Sequence, residues 1–261
     1  MNQPHPRTVL VTGAAGAIGK GIAAGFLSLG DRVFLTDLQP EATAAAAAEV
    51  GGAGGPCPCL GADVTNEAQV AAVIAAVRAA FGGRIDVLVN VAGIVGQGKV
   101  EDLSAEEWDR MFAVNVKGSF LFIKHAVPLM KAQGAGKIVN FSSKSGKTGS
   151  ALMSHYSAAK AAIIGLTQAL AYELAGSGIT VNCLCPGITD HTGVWSHVSA
   201  GYVQNLGLSR DQVVQQFTAK VPLKRLARIE DIVAVTLFLA SPGADYMTGQ
   251  AINVTGGREM H

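Results

Sequence analysis

Short apolar segments alternate with longer, alanine-rich segments along most of this chain. The short segments are rich in β-branched residues and predict seven strands: Thr8–Val11, Arg32–Thr36, Cys57–Leu60, Asp86–Asn90, Lys137–Phe141, Ile179–Cys183 and Ala251–Val254. Helical periodicity predicts helices between them: Ala17–Leu29, Glu41–Val50, Glu67–Phe81, Ala105–Lys131, His155–Leu174 and Ile229–Ala240. Because the strands are apolar throughout, we expect an α/β fold with a doubly wound parallel sheet and helices on both faces.

One segment interrupts this alternation. Residues 188–220 follow the sixth predicted strand and carry His191, Trp195 and His197 in a mixed polar and apolar context. Ligands of open α/β sheets bind at the carboxyl ends of strands, so a long segment at this position predicts a lid over the substrate. An ordinary surface excursion is the alternative. We expect residues 1–261, including this segment, to form a single domain.

Composition narrows the class of protein. Apolar residues make up 49% of the 261 positions, charged residues 15%, and the net charge is +1, which favours neither a nucleic-acid nor a membrane partner. The chain has no run of 18 apolar residues and its first residues do not resemble a signal peptide, so we expect a cytoplasmic protein. The four cysteines form two Cys-x-Cys pairs without further ligands at suitable spacing, and we predict no metal site.

The first predicted strand leads into a glycine-rich turn and a helix. Gly13, Gly16 and Gly19 punctuate this turn, and such a strand–turn–helix predicts a Rossmann-like dinucleotide site whose diphosphate lies at the helix N-terminus. Asp37 ends the second strand, 18 residues after Gly19. A carboxylate there would accept hydrogen bonds from ribose hydroxyls and repel a 2′-phosphate, and positions 14 to 19 contain no Arg or Lys. The sequence therefore predicts NAD rather than NADP.

A tyrosine and a lysine lie one helical turn apart in a later helix. Tyr156 and Lys160 share a helix face because they are four residues apart. A phenol has an unperturbed pKa of about 10, and a neighbouring ammonium lowers it. The pair therefore predicts a device for proton transfer. An amphipathic helix with an ordinary surface lysine is the alternative when the pair is taken alone.

Together these motifs resemble the short-chain dehydrogenase/reductase family along nearly the whole chain. The resemblance rests on further motifs in the same order: Asp63-Val64, Asn90-Val91-Ala92-Gly93, Asn115, Ser143 thirteen residues before Tyr156, and Pro186-Gly187. It implies that Asn115, Ser143, Tyr156 and Lys160 are catalytic. It also implies a set of cofactor-binding residues: Gly13, Gly16, Ile18, Gly19, Asp37, Asp63, Val64, Asn90, Ala92, Gly93, Tyr156, Lys160, Pro186, Gly187, Ile188 and Thr189.

The chain departs from the family pattern at two positions. Ala17 replaces a glycine of the short-chain branch, and we expect it to be tolerated if its φ is negative and Gly16 adopts any unusual backbone geometry. Val91 replaces the second asparagine of the Asn-Asn-Ala-Gly motif and cannot form a side-chain hydrogen bond there. Neither departure affects the residues that the resemblance implies for proton transfer.

The resemblance implies hydride transfer between a secondary alcohol and a nicotinamide ring. Tyr156 would act as the acid/base and Ser143 would hold the substrate oxygen. Lys160 would bind the nicotinamide ribose and lower the pKa of Tyr156, and Asn115 would anchor a water relay. The implied substrate is a small polyol, sugar or sugar acid. A reductase of 3-oxoacyl carrier protein is the enzymatic alternative, and a non-catalytic NAD-binding sensor or scaffold is the alternative from another class.

The residues beside Ser143 suggest how the substrate is chosen. We predict that it contacts Lys144, Ser145, Lys147, His155, His191 and Trp195. Lysines at this position could bind an anionic group, with Arg258 as a further candidate, although solvated surface lysines are the alternative. Members of this family commonly form tetramers. The resemblance therefore implies a homo-oligomer in which the helices near residues 105–131 and 155–175 pack across a two-fold axis.

Overall fold

A parallel sheet of seven strands forms the centre of the molecule. The computed structural model of the chain describes residues 6–193, 195, 196, 199, 203, 207 and 209–261. The strands are β1 (Thr8–Thr12), β2 (Arg32–Asp37), β3 (Cys59–Gly61), β4 (Val87–Asn90), β5 (Gly136–Phe141), β6 (Ile179–Pro186) and β7 (Ala251–Val254). Their order in the sheet is β3-β2-β1-β4-β5-β6-β7, with every neighbouring pair parallel. This confirms the predicted fold class.

Helices cover both faces of the sheet. They are α1 (Ala17–Ser28), α2 (Pro40–Gly51), α3 (Glu67–Phe81), α4 (Ala105–Phe112), α5 (Gly118–Gln133), α6 (Lys144–Thr148), α7 (Ser154–Leu174), α8 (Arg210–Ala219) and α9 (Ile229–Leu239). None of the described helices is both long and apolar enough to cross a lipid bilayer.

Alternate strand residues enter two separate apolar layers. On β1, Val9 and Val11 pack in one layer, together with residues of α1 and α9, whereas Leu10 packs in the other, with residues of α3 and α5. Successive strand side chains point to opposite faces, so apolar residues at every position are required to fill both layers. The two layers fix the sheet, and with it the positions of the loops at its carboxyl edge.

The predicted helix Ala105–Lys131 is two helices with an irregular turn between them. α4 begins at a capping box, in which Ser104 Oγ accepts from the Glu107 N–H and Glu107 returns the contact to the Ser104 N–H. Ala113–Lys117 then form one π-helical turn before α5 continues. The apolar periodicity alone did not reveal this turn, and it also missed the short helices α6 and α8.

Candidate active site

A cleft of about 700 Å³ opens at the carboxyl ends of β1, β4, β5 and β6. The chain crosses from one half of the sheet to the other at β1, so this is the switch point where open α/β sheets bind their ligands. Most of the predicted site residues line it: Gly13, Gly16, Ile18, Gly19, Asp37, Asp63, Val64, Ala92, Gly93, Asn115, Ser143, Lys144, Ser145, Tyr156, Lys160, Pro186, Gly187, Ile188, Thr189 and Trp195.

The glycine-rich turn forms one end of the cleft. Gly13 has φ +65°, and a Cβ there would lie 2.7 Å from the Ala92 nitrogen, so glycine is required by conformation and by space. Gly16 is extended, with φ −73°, and Ala17 begins α1 with an ordinary helical backbone. The unusual backbone geometry expected at Gly16 is therefore found at Gly13. Ala17 fits because the tight part of the turn lies upstream of it.

The N-terminus of α1 faces this end of the cleft without a side-chain cap. No side chain of the described residues hydrogen-bonds to the first N–H groups of α1, and its first turn contains no acidic residue. Ala17, Ile18 and Gly19 all line the cleft. Unpaired N–H groups and the positive end of the helix dipole favour an anion, so the local structure fits the diphosphate of a dinucleotide.

Asp37 lies beside the same turn and stabilises it. Its Oδ2 accepts from the Ala15 N–H at 2.9 Å, and its Oδ1 accepts from the Leu38 N–H at 2.7 Å. The described residues that line this end of the cleft, including Leu38, Asp63 and Val64, carry no positive charge. A carboxylate among neutral and acidic neighbours would disfavour a ligand with an additional phosphate group at this end.

Asn90 was predicted to bind the cofactor, but the structure places its side chain below the cleft and not in its lining. Its side chain is buried in the sheet, where Nδ2 donates to Asn140 Oδ1 at 2.9 Å. Asn140 in turn donates to Thr167 Oγ1 at 3.0 Å. Asn90 is absent from the lining because its side chain is directed into the sheet, where it contacts Asn140.

Asn115 is positioned by the π-helical turn between α4 and α5. Its Nδ2 donates to the carbonyls of Met111 and Ile94, both at 3.0 Å. Its Oδ1 is buried and has no hydrogen-bond partner among the described residues. This oxygen lies next to Gly93, where an added Cβ would approach it to 2.6 Å and the Lys160 ammonium to 3.3 Å. A buried acceptor without a donor predicts a bound water or ligand at this point.

Ser143, Tyr156 and Lys160 converge between the ends of β5 and β6. Ser143 caps α6, where its Oγ accepts from the Ser145 N–H at 3.1 Å, and it also hydrogen-bonds Tyr156. The Lys160 Nζ donates to the Phe141 carbonyl at 2.9 Å and lies 5.7 Å from the centre of the Tyr156 ring. The helical spacing thus brings the tyrosine and the lysine together, and the loop after β5 adds the serine.

Burial dominates the ionisation of this pair. It raises the pKa of Tyr156, and the hydrogen bond with Ser143 opposes the shift. It also lowers the pKa of Lys160 to about 8, against the opposing effect of Cys183 and Cys185. In the chain alone the pKa of Tyr156 therefore lies above its usual value, and its lowering by Lys160 stays a prediction.

The other end of the cleft combines a polar wall with an apolar one. Lys144 Nζ donates to Ser150 Oγ at 2.8 Å, and the Ser145 and Ser150 hydroxyls lie 2.8 Å apart. Opposite them, Trp195 packs edge-on against Phe217, with 5.7 Å between the ring centroids. The Trp195 Nε1–H is buried and has no acceptor among the described residues. This end therefore suits a ligand with oxygen atoms on one side and a nonpolar face on the other.

Three residues predicted to contact the substrate do not line the cleft. His155 is buried between α7 and the loop that contains Gly96, because residues adjacent on a helix point about 100° apart. Lys147 lies three residues after Lys144 on α6 and is not among the residues that line the cleft. His191 is exposed and pairs with its neighbour Asp190 at 3.6 Å. His197 lies outside the described residues.

Two contributors to this end were missed in the sequence. Ser150 lies on an irregular segment, and Glu259 follows the last strand, so neither belongs to a periodic pattern or a motif. Glu259 is nevertheless 91% buried, and its Oε1 lies 4.0 Å from Lys144 Nζ and 3.3 Å from Arg258 Nε. Its position beside the Gly256-Gly257 pair is the one sequence signal that could have drawn attention to it, since that pair turns the chain back toward the sheet.

Known proteins share this sequence and architecture. A family model described as enoyl-(acyl carrier protein) reductase matches residues 13–259. Sorbitol-6-phosphate 2-dehydrogenase of Escherichia coli is 40% identical, with 100% of both chains covered. Sorbitol dehydrogenase of Cereibacter sphaeroides is 38% identical over 97% of this chain and 98% of its own. A crystal structure of a variant actinorhodin polyketide ketoreductase with NADPH is 34% identical, with a TM-score of 0.94 and full coverage of both chains.

The fold, the cleft and these similarities define an oxidoreductase that acts on CH–OH groups with a nicotinamide cofactor. The chain belongs to the short-chain dehydrogenase/reductase family.

Proposed function

We propose that this protein is an NAD-dependent dehydrogenase that oxidises a secondary alcohol of a polyol, sugar or sugar acid. The observation that carries the proposal is the cluster of Ser143, Tyr156 and Lys160 in the same cleft as an uncapped helix N-terminus and Asp37. The bound nicotinamide ring supplies a hydride acceptor. The side chains of the chain must then orient the alcohol, remove its proton and exclude competing ligands.

Tyr156 is the proposed proton acceptor. It lies in hydrogen-bond contact with Ser143, so a hydroxyl group placed between them can donate to one oxygen while accepting from the other. Burial raises the pKa of Tyr156 in the chain alone, and a phenolate would need an added positive charge or donor nearby. Lys160 is the proposed source of that charge, and the unpartnered Asn115 Oδ1 beside it is the proposed anchor for a water that relays the proton.

The dinucleotide would lie along the turn and the floor of the cleft. Gly13, Gly16, Ile18 and Gly19 would hold its diphosphate through backbone N–H groups, and Asp37 would bind the adenosine ribose. Asp63, Val64, Ala92 and Gly93 would line the adenine and ribose positions, and Pro186, Gly187, Ile188 and Thr189 the nicotinamide position. The carboxylate of Asp37 is the reason for proposing NAD.

A polyhydroxylated substrate fits the remaining end best. Lys144, Ser145 and Ser150 present donors and acceptors, and the unpaired Trp195 Nε1–H needs an acceptor oxygen. Two of the relatives named above act on sorbitol or its phosphate, which supports this choice. Reduction of an acyl-carrier-protein ketone is the second candidate. The description of the family model supports an acyl-carrier-protein substrate, and the ketoreductase structure with NADPH supports reduction of a ketone.

The first test is turnover. The purified protein should reduce NAD in the presence of polyols or sugar acids and should prefer NAD to NADP. Tyr156→Phe should lower kcat by about a thousandfold or more, because general acid–base catalysis typically contributes two to four orders of magnitude. NAD binding, measured by calorimetry, should change little. Retained turnover in Tyr156→Phe would refute the proposed role.

A preference for NADPH and a 3-oxoacyl substrate would select the second candidate. NAD binding without turnover of any alcohol or ketone in the panel would indicate a non-catalytic sensor.

A further inference from the structure

A cluster of charged side chains lies just beyond the proposed substrate position. Lys144 immediately follows Ser143 and lines the cleft, and a small recess shares Lys144, Gly187 and Ile188 with it. Arg225 and Arg258 also line this recess. Three basic residues from distant parts of the chain thus meet next to the proposed catalytic serine.

The C-terminal segment brings Arg258 and Glu259 to this position. Asn253 Nδ2 donates to the Glu259 carbonyl at 3.1 Å, and Thr255 Oγ1 donates to the same carbonyl at 3.1 Å. Arg258 lies over the Phe217 ring at 5.5 Å, which links it to the aromatic wall of the cleft. The segment is therefore fixed against both β7 and α8, and its side chains are held rather than free in solvent.

The positive charges at the recess are only partly compensated. Arg225 is neutralised by Asp231 through contacts of 2.6 and 2.9 Å. Lys144 and Arg258 share the single carboxylate of Glu259, which contacts them through Oε1 while Oε2 has no partner among the described residues. One positive charge therefore remains without a facing carboxylate among the described residues of this cluster.

The ionisation of Lys144 agrees with this geometry. Burial lowers the pKa of Lys144, and Arg258 and Lys220 lower it further, while Glu259 opposes them. An ammonium in such surroundings is stabilised by any additional anion, because Coulomb interactions at a partly buried site are stronger than in water. Its side chain is 14% exposed, so an anion can reach it from the cleft.

We propose that Lys144 and Arg258 form an oxyanion subsite, which selects substrates that carry a carboxylate, phosphate or sulfonate group away from the reacting alcohol. This inference rests on the proposed function and deepens it. The Glu259 carboxylate lies beside both cations and competes with the ligand for them. It therefore weakens the binding of a singly or doubly charged oxyanion. Lys144 supplies a point charge and Arg258 supplies directed N–H donors.

The test compares three matched probes with the NAD-bound protein: sorbitol, gluconate and sorbitol 6-phosphate. The measured quantity is the ratio of kcat/KM for each anionic probe to kcat/KM for sorbitol. Lys144→Met should lower this ratio about tenfold or more, because losing a hydrogen bond to a charged group typically weakens binding by at least that factor. Glu259→Gln should raise the ratio because it removes the competing carboxylate while keeping the shape of the side chain.

The matched control is Lys147→Met, a lysine on the same short helix that does not line the cleft, and it should leave the ratio unchanged. Arg258→Lys should retain part of the preference, because the positive charge remains. The carboxylate and phosphate arms identify which oxyanion the subsite takes. Equal ratios in the wild type and Lys144→Met, or a lower ratio in Glu259→Gln, would overturn the proposal.

Binding measurements separate this inference from the proposed function. Calorimetric titration of the same probes into the NAD-bound protein reports the subsite even without turnover. Oxidation of sorbitol with no preference for either anion would overturn the subsite and leave the dehydrogenase proposal standing. Binding of an anionic probe that is lost in Lys144→Met, without turnover of any probe, would support the subsite and overturn the proposed reaction.

Discussion

Gly93 shows how the absence of a side chain can define an active site. Asn115 Oδ1 and Lys160 Nζ both approach its Cα, and each would come within 3.3 Å of an added Cβ. Alanine at this position would displace the lysine or the asparagine from the floor of the cleft. The residue thus keeps open the space in which we place the proton relay.

We expect Gly93→Ala to lower kcat at least about tenfold, because a displacement of about 1 Å in a catalytic group can cost up to a hundredfold. Steady-state kinetics with NAD and the best polyol of the panel measures this effect. Gly176→Ala is the matched control, since a Cβ at Gly176 meets nothing within 4 Å. Wild-type kcat in Gly93→Ala would show that the two side chains can move without consequence.

At the level of single residues, the spacing of a motif predicts which side chains line the cleft better than adjacency in the chain does. Tyr156 and Lys160 lie together because their spacing matches a helical turn, and that spacing is readable in the sequence. His155 precedes the tyrosine directly and is buried on another side of the same helix. The sequence shows which residues are adjacent in the chain, but the rotation of about 100° per helical residue decides which of them share the cleft.

At the level of elements, the turn between β1 and α1 depends on a residue from β2. Asp37 accepts from the Ala15 N–H and therefore stabilises the glycine-rich turn as well as facing the proposed ribose position. Its carboxylate is the feature on which the proposal of NAD as cofactor rests. An amide in its place would keep an acceptor for the turn and remove the charge.

We expect Asp37→Asn to reduce the preference for NAD over NADP by about tenfold or more, because one repulsive charge interaction with a 2′-phosphate is lost. The ratio of kcat/KM for the two cofactors gives the answer. Glu41→Gln, an exposed carboxylate in the first turn of α2, controls for a general change in surface charge. A similar shift in both variants would remove Asp37 as the source of the preference.

The elements were largely predictable, and the exceptions have physical causes. The five inner strands were predicted because burial on both faces requires continuous apolar runs, whereas the edge strands β3 and β7 are only partly buried and were predicted from short apolar runs alone. Helices α6 and α8 were missed because α6 is short and polar, whereas α8 begins at a Ser209–Gln212 capping box within the segment expected to be a lid. The role of residues 188–220 as a lid stays a prediction.

At the level of the whole molecule, Lys160 links activity to stability. Its ammonium is buried and its pKa is lowered to about 8, below the 10.5 of an unperturbed lysine. Between these two values the unfolded chain binds more protons than the folded chain, so raising the pH stabilises the folded state through this group. Below pH 8 the buried charge costs roughly 3 kcal/mol of unfolding free energy.

We therefore expect Lys160→Met to be inactive. From pH 7 to pH 9.5 the unfolding free energy of the wild type should rise by about 2 kcal/mol relative to that of Lys160→Met, because only the wild type has this buried ammonium to deprotonate. Urea denaturation at both pH values measures it. A difference that is independent of pH would mean that Lys160 is charged throughout.

The homotetramer stays a prediction at this scale. Exposed aromatic side chains lie on the helices that the resemblance implies for an interface: Trp108 on α4, Phe120 on α5 and Tyr172 on α7. Their exposure in the single chain agrees with burial in an assembly. The sequence could suggest this only through the resemblance, because apolar patterning alone does not separate an interface from a buried core.

The π-helical turn at Ala113–Lys117 also accommodates one extra residue between two helices. The Gly118 N–H donates to the Ala113 carbonyl, five residues back, so this turn holds one residue more than an α-helical turn would. Removing one residue here would close the stretch to an ordinary α-helical turn, so Leu121 and Phe122 would still face the sheet, whereas Asn115 would lose its place beside Gly93. A one-residue deletion in this stretch should therefore spare the packing of α5 and lower activity.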